Sequence, residues 1–534
     1  MILPGSNIIV DLGLLLIIAS ILSYFASKLK QPLILAYILA GLLLGIFLPD
    51  IISNVDNVNL LSQLGIAFLL FLVGMELSFD DIKHLAKVSL YVGIGQVVFT
   101  FLIGYVLLEI LGYGLVESIY ISIALTFSST IIVLKVLGEK NDTNSLYGKV
   151  SIGTLLVQDF LALLVLIALA GFNNGDSVGF SNIMLAIFKG FAFMIIALLF
   201  SRFVLSRLVS SMAKSQEMLF LGSLSLCFLF IIISQYLGLG IEIGSFIAGL
   251  SLANLPYRLE IANKIKPLRD FFIVLFFIML GIQMALTIGN ISVIHAVILS
   301  LFVLIGNPLI VLVIMGMLGY KKRTSLFTGL TLAQISEFSL ILVALGNRIG
   351  HLSNEIVSLV TVVGVVTITL SVYMMHYHEW IYAKIGRWLN VFERKDIKRF
   401  IVERLDNSAF EKNEYIIFGC KRTGYNIALM LKEMHKKLLI VDFDPRVVSK
   451  LNSEGFRCIY GDIGDYELFD ELNLAKAELV ISTVPDKTDS IVLLKRAKSL
   501  NRKVSVVVAA DNVDDALELY KSGADYVIVP NLLS

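Results

Sequence analysis

Thirteen stretches of roughly 20 apolar residues recur between residues 8 and 375, and no other feature limits the possible folds as strongly. A helix rising 1.5 Å per residue needs about 20 apolar residues to cross the ~30 Å hydrocarbon layer, where its own backbone must satisfy its polar groups. The stretches lie at 8–26, 32–48, 58–77, 88–111, 117–137, 150–171, 181–205, 217–237, 240–254, 268–287, 291–317, 324–346 and 355–375. The ninth is short and begins in the Gly-rich run GLGIEIGSF. Only 16% of the 534 residues are charged, against about a quarter in soluble domains. The chain is therefore expected to be a polytopic α-helical membrane protein with about 13 transmembrane helices.

Charge and cysteine content narrow the partners. A net charge of +1 provides no basic excess for phosphate backbones, which argues against a nucleic-acid partner and leaves membrane lipid as the surroundings. Cys227, Cys420 and Cys458 fit neither a disulfide framework nor a metal-ligand spacing. The opening MILPGSNIIV lacks a basic region, so a cleavable leader is not expected. Basic residues crowd one set of loops: Lys28 and Lys30, Lys83 and Lys87, Lys140 and Lys149, Arg207 and Lys214, Arg258 to Arg269, and Lys321 to Arg323. The opposite loops hold almost none, Arg348 excepted. Basic loops stay in the cytoplasm. The N-terminus is thus expected outside a cell (inner) membrane, and residues from 376 onward inside.

Residues 376–412 shift to mixed charge, with Trp380, Ile381, Ile385, Trp388 and Leu389 at helical spacing, which predicts an interfacial helix and a linker. From residue 413 short apolar runs (YIIFG, KLLIVDF, FRCIYG, AELVIST, KVSVVVAA, DYVIVP) alternate with amphipathic segments. That alternation predicts a parallel sheet with crossover helices. The expected domains are 1–375, 376–412 and 413–534.

In YIIFGCKRTGYNIALML, Gly419 and Gly424 stand between a strand and a helix, and Asp442 ends the next strand 18 residues after Gly424. A dinucleotide fold requires a tight first turn, a helix N-terminus aimed at phosphate and an acid at the second strand's tip. The middle glycine of the usual motif is Lys421 here, which either blocks close approach or places an ammonium on phosphate; Arg422 follows it. With VDFDPRVV and YGDIGD, this part resembles the regulator-of-potassium-conductance (RCK) nucleotide-binding domain, also called TrkA-N-like. The resemblance implies that Gly419, Gly424, Asp442 and Asp462 face a bound nucleotide, either NAD(H) or AMP or another adenine nucleotide.

The sixth stretch, KVSIGTLLVQDFLALLVLIALAG, carries Asp159 about 15 Å from either end, near the bilayer midplane. A charge there costs about 2.5–3.5 kcal/mol on insertion scales, and intramembrane ionisable groups mark ion or proton pathways. A desolvated carboxylate gains a raised pKa and is able to trade a proton for a cation near neutral pH. One stretch earlier, Thr126, Ser128, Ser129 and Thr130 compete with helical hydrogen bonding and predict a break with free backbone groups. In the twelfth stretch Gln334, Ser336 and Glu337 interrupt a second apolar run. The two interruptions lie in opposite halves of the chain, as inverted repeats with crossing broken helices require. Lys135, Lys189, Glu242 and His295 read as snorkelling, charge-balancing or edge residues, Glu242 as solvated.

SSTIIVLKVL, LLVQDF, IGSFIAGLSLANLPYRLEI, PLRDFFIVLFFIMLG and LAQISEF together resemble the monovalent cation:proton antiporter-2 family, and among it the Kef-type potassium/proton antiporters that end in an RCK domain. The resemblance implies a sodium/proton-antiporter-like fold working as a homodimer. It implies Asp159 as the cation- and proton-binding carboxylate, Gln158 as its partner, and Thr126, Ser128, Ser129, Thr130, Asn307, Gln334 and Glu337 near the ion. Many relatives hold a lysine in the eleventh span; VLIGNPLIVL has Asn307 there. A single carboxylate implies electroneutral exchange of K+ or Na+ for H+. An RCK-gated potassium channel would need a filter such as TVGYG, which is missing. A nucleotide sensor without transport is the other alternative. An enzyme is not expected.

Overall fold

The computed structural model describes residues 8–47, 55–76, 86–140, 142–143, 145–170, 180–212, 215–253, 255–287, 289, 291–392, 414–420, 422–442, 445–461, 463, 469, 472, 474–484, 487–510 and 512–529. The chain divides into two compact units, Met1–Leu389 and Asn390–Ser534.

In the first unit the described parts of the apolar stretches fall on helix, except for interruptions inside 117–137 and 324–346. In order the helices are α1 (Ile8–Lys28), α2 (Leu33–Phe47), α3 (Val55–Glu76), α4 (Ala86–Ile110), α5 (Leu115–Ala124), α6 (Thr130–Glu139), α7 (Leu146–Ala170), α8 (Phe180–Phe200) and α9 (Ser206–Met212). They continue with α10 (Gln216–Tyr236), α11 (Gly240–Leu252), α12 (Arg258–Thr287), α13 (Val293–Leu301), α14 (Asn307–Met317), α15 (Lys322–Thr331), α16 (Glu337–Arg348), α17 (Asn354–His376) and α18 (His378–Ile385). Among the described residues nine helical runs are long and apolar enough to cross a membrane, and α2, α5 and α11 are shorter apolar helices.

The structure departs from the sequence pattern in three places. Helix α12 begins at Arg258, ten residues before the apolar stretch at 268, because Ile261 and Ile265 are buried one turn apart and extend its inner face. Pro267 sits inside it without ending it. A π turn, Phe302–Gly306, joins α13 to α14 immediately before Asn307 and Pro308. Proline lacks an N–H and its ring conflicts with the carbonyl four residues back, here Leu304, so a locally widened turn relieves both. Glu242 is not solvated: it is 8% exposed and accepts from Arg348 Nη1 at 3.2 Å. That ion pair also gives a role to Arg348, the basic residue that stands out in the opposite loops.

Glycines allow the closest helix crossings. A Cβ on Gly281 would lie 2.1 Å from Ile38 O, and one on Gly249 would lie 1.9 Å from Phe71 O, so α12 meets α2 and α11 meets α3 backbone to backbone. Such contacts replace the hydrophobic drive that lipid cannot supply.

At the far end of α6, Lys140 Nζ lies 2.6 Å from His378 Nδ1 and donates to Met375 O at 2.9 Å. Phe327 of α15 stacks edge-on to the imidazole at 4.2 Å, and Arg323 lies over Phe327 while pairing with Glu379 at 2.6 Å. Burial first, then the Lys140 ammonium, lowers the His378 pKa from 6.5 to about 4. Burial likewise lowers Lys140. The folded imidazole is therefore neutral where the unfolded one takes a proton. This contribution to stability is fully present above about pH 6.5 and is lost as the pH drops towards 4. Thermal unfolding in detergent is expected at a lower temperature at pH 5 than at pH 7.5, and His378→Gln should shrink that difference.

The second unit is a six-stranded parallel sheet, β1 (Tyr415–Phe418), β2 (Leu438–Asp442), β3 (Cys458–Tyr460), β4 (Leu479–Ser482), β5 (Ser505–Ala509) and β6 (Tyr526–Ile528), in the order β3-β2-β1-β4-β5-β6. Ile416 and Phe418 enter one buried cluster and Ile417 the other, so both faces of the sheet are covered. This explains why the strands read as unbroken apolar runs. The strand order reverses between β1 and β4, which opens a crevice beyond their carboxyl ends.

Candidate ion-binding site and nucleotide fold

Two interrupted helices meet at the candidate site. The first interruption, residues 125–129, separates α5 from α6; the second, residues 332–336, separates α15 from α16. Each ends in a serine N-cap: Ser129 Oγ accepts from Ile132 N at 3.3 Å and Ser336 Oγ from Phe338 N at 3.2 Å. The short hydroxyl side chains thus take up amides that a helix start leaves without partners. Ser128 Oγ donates to Leu332 O at 3.0 Å, and Ser129 Oγ donates to Glu337 Oε1 at 2.9 Å. The two interruptions therefore touch.

The unbroken helix α7 lies beside this crossing and presents Gln158 and Asp159 to it. Thr130 Oγ1, on the first residue of α6, donates to Asp159 Oδ2 at 2.9 Å. Ser128 N donates to Gln158 Oε1 at 3.0 Å. Asp159 is 7% exposed and Glu337 4%. The positive N-terminal end of α6 thus faces both carboxylates, through Thr130 and through Ser129, and Glu337 also sits on the first turn of α16. Partial positive charge at helix starts favours anions there.

The sequence-predicted residues sort into those brought together and those held apart. Asp159, Gln158, Ser128, Ser129, Thr130 and Glu337 converge on the crossing. Thr126 turns its hydroxyl to Ile123 O at 2.7 Å. Asn307 lies across the first interruption, donating to Leu125 O at 3.3 Å and accepting from Thr100 Oγ1 at 2.9 Å. Gln334 turns towards α17, where its Oε1 accepts from Ser371 Oγ at 2.6 Å. Gln96 and Thr100, which join this network from α4, are not among the residues the sequence singles out. Two polar residues four apart in the apolar run GIGQVVFTFLI are the available signal. Lys189 donates to Leu237 O at 3.4 Å and so caps α10, and Lys135 is exposed beside Glu139 at 3.9 Å.

In the second unit Gly419 follows β1 with φ +80°, a conformation that favours glycine. A Cβ on Gly424 would stand 2.1 Å from Gly419 O, so only glycine lets the helix Arg422–Glu433 start this close to the turn. Asp442, expected to face ribose, is 2% exposed, and its Oδ2 accepts from Cys420 N of the same turn at 2.7 Å. The carboxylate thus holds the turn in shape. Burial and then Asp442 push the Cys420 thiol up to about 12, and burial raises Cys458, so both stay protonated. Lys421 and Asp462 lie outside the described residues, and Arg422 opens the helix backbone.

Comparison with known proteins gives the family and the fold. The family profile described as "sodium/hydrogen exchanger, transmembrane" matches residues 14–376, and the TrkA-N domain profile matches residues 415–530. A cation/proton antiporter of Escherichia coli (strain K12), YbaL, is 26% identical over 96% of this chain and 93% of its own. K(+) efflux antiporter 4 of Arabidopsis thaliana is 30% identical over 61% of this chain and 56% of its own. Among solved structures, the sodium proton antiporter MjNhaP1 of Methanocaldococcus jannaschii has the same fold, with a TM-score of 0.55 and 18% identity over 70% of this chain and 98% of that one. The chain belongs to the sodium/hydrogen exchanger family, in the Kef-type arrangement that joins the exchanger to a TrkA-N domain.

Proposed function

We propose that the protein is a secondary antiporter that exchanges a monovalent cation for H+ by alternating access, with Asp159 as the group for which the two ions compete. The contact between Thr130 and Asp159 at the crossing of two broken helices carries this reading. A carboxylate and a hydroxyl are hard oxygen ligands suited to an alkali cation. When the cation leaves, the same carboxylate takes a proton. The relatives' names include K(+) efflux antiporters, which favours K+ over Na+ as the cation.

One carboxylate exchanging one proton for one cation makes the cycle electroneutral. Thirteen spans with the N-terminus outside would put the sheet domain in the cytoplasm. There NAD(H) or AMP, bound at the Gly419 turn of a homodimer, would bias transport through different affinities for its two states. The test uses purified protein in liposomes loaded with a pH-sensitive dye. K+ or Na+ gradients are applied with and without NADH, NAD+ or AMP. Cation-driven proton movement is expected, and a nucleotide should change its rate. Cation flux with no proton movement would mark a channel and overturn the reading.

A further inference from the structure

Four buried polar side chains form one directed chain behind the first interruption. Gln158, Gln96, Thr100 and Asn307 are each 0% exposed. Ser128 N–H is only a donor, so it fixes the Gln158 oxygen towards itself at 3.0 Å and turns the Gln158 amide nitrogen outward. That nitrogen donates to Gln96 Oε1 at 2.6 Å. Gln96 Nε2 then spends its two hydrogens on Thr126 O and Thr100 Oγ1, both at 3.1 Å. Thr100 donates to Asn307 Oδ1, and Asn307 Nδ2 donates to Leu125 O. Three backbone groups set the donor directions, Ser128 N–H, Thr126 O and Leu125 O, and all three were set free by the interruption. The assignment is consistent at every link, and reversing any amide would oppose donor to donor or acceptor to acceptor.

We propose that Gln96 is a positioning residue for cation exchange. Among the described residues it is the one side chain bonded both to the interruption, at Thr126 O, and to the residue beside the binding carboxylate, at Gln158. Through these bonds it holds the segment 125–128 in register with α7, and so keeps Thr130, two residues further on, against Asp159. Gln158 and Asn307, with both ends of their amides engaged, act here as braces for the site. In this arrangement the carboxylate of Asp159 and the hydroxyl of Thr130 are the proposed cation ligands. A carboxylate at position 96 would accept from Gln158 but have no hydrogen for Thr126 O, so Gln96→Glu cannot substitute. The inference rests on the exchange reading above.

The test measures exchange against K+ concentration in proteoliposomes, with folded protein quantified by size-exclusion chromatography. Gln96→Ala is expected to raise half-saturating K+ about tenfold while changing the maximal rate less than about threefold, the scale of a lost buried hydrogen bond that acts on geometry. Gln96→Glu should behave likewise. The double variant Gln96→Ala/Gln158→Ala should be no worse than the weaker single variant, because both act through one chain. If Gln96→Ala does not fold, Thr100→Val serves instead and should raise half-saturating K+ by about threefold. Unchanged half-saturation in a folded variant, or effects that multiply in the double variant, would overturn the proposal. Asp159→Asn separates this from the parent reading. A silent Asp159→Asn with an unaltered Gln96→Ala removes only the positioning role; an active Asp159→Asn removes the exchange reading itself.

Discussion

Replacing Asp159 by Asn should reduce cation-driven proton flux to the background of empty liposomes while the protein remains folded. Asn keeps an oxygen to accept from Thr130 Oγ1, so the contact now 2.9 Å long survives. What it loses is the charge that binds a cation and the basicity that binds a proton. Asn is nearly isosteric with Asp, so the variant is expected to elute as folded protein on size-exclusion chromatography. Purified Asp159→Asn, reconstituted beside the parent protein at equal density, gives the comparison directly. Residual proton-coupled flux would mean that another group carries the proton.

The second large effect is expected at Glu337, and it is of a different kind. Glu337 accepts from Ser129 Oγ at 2.9 Å and from Ser336 Oγ at 3.4 Å, which places its carboxyl group between the starts of α6 and α16. Glu337→Gln retains the volume but has one acceptor oxygen where Glu337 uses two, so the hydrogen bond from Ser129 or that from Ser336 is lost. Its thermal stability should fall by about 1 kcal/mol, the scale of one buried hydrogen bond. Exchange should persist, because Asp159 is intact. If Glu337→Gln is folded and silent, Glu337 shares the transported proton and the one-carboxylate stoichiometry fails. Unfolding temperature and flux read on the same preparation separate the two roles.

Much of this site is legible in the amino-acid sequence. A lone acid in the middle of an apolar run has few explanations, and clustered hydroxyls such as Thr126 to Thr130 compete locally with helix formation. Those signals are short-range, so a linear chain displays them. The functions of individual polar groups are less readable. Gln158, Asn307 and Gln334 read as ion ligands from their place in the chain. Their hydrogen-bond partners lie 30 to 207 residues away, on other segments, so the contacts each makes are not displayed in the linear chain. Gln96 and Thr100 resemble ordinary isolated polar residues for the same reason. The pairing of Glu242 with Arg348 spans 106 residues, and no local pattern encodes it. In the sheet domain the strand–turn–helix order and the two glycines are readable. The role of Asp442 in holding the Cys420 amide depends on a 2.7 Å contact across the turn.

The competition at Asp159 is tested most directly by counting protons released when the cation binds. Calorimetric titration of the detergent-solubilised protein with K+, and separately with Na+, in buffers of different ionisation enthalpy gives that number. About one proton per bound cation is predicted for the parent protein near the pH where Asp159 is protonated, with neither binding nor release in Asp159→Asn. Cation binding that releases no proton, or that persists in Asp159→Asn, would contradict the account.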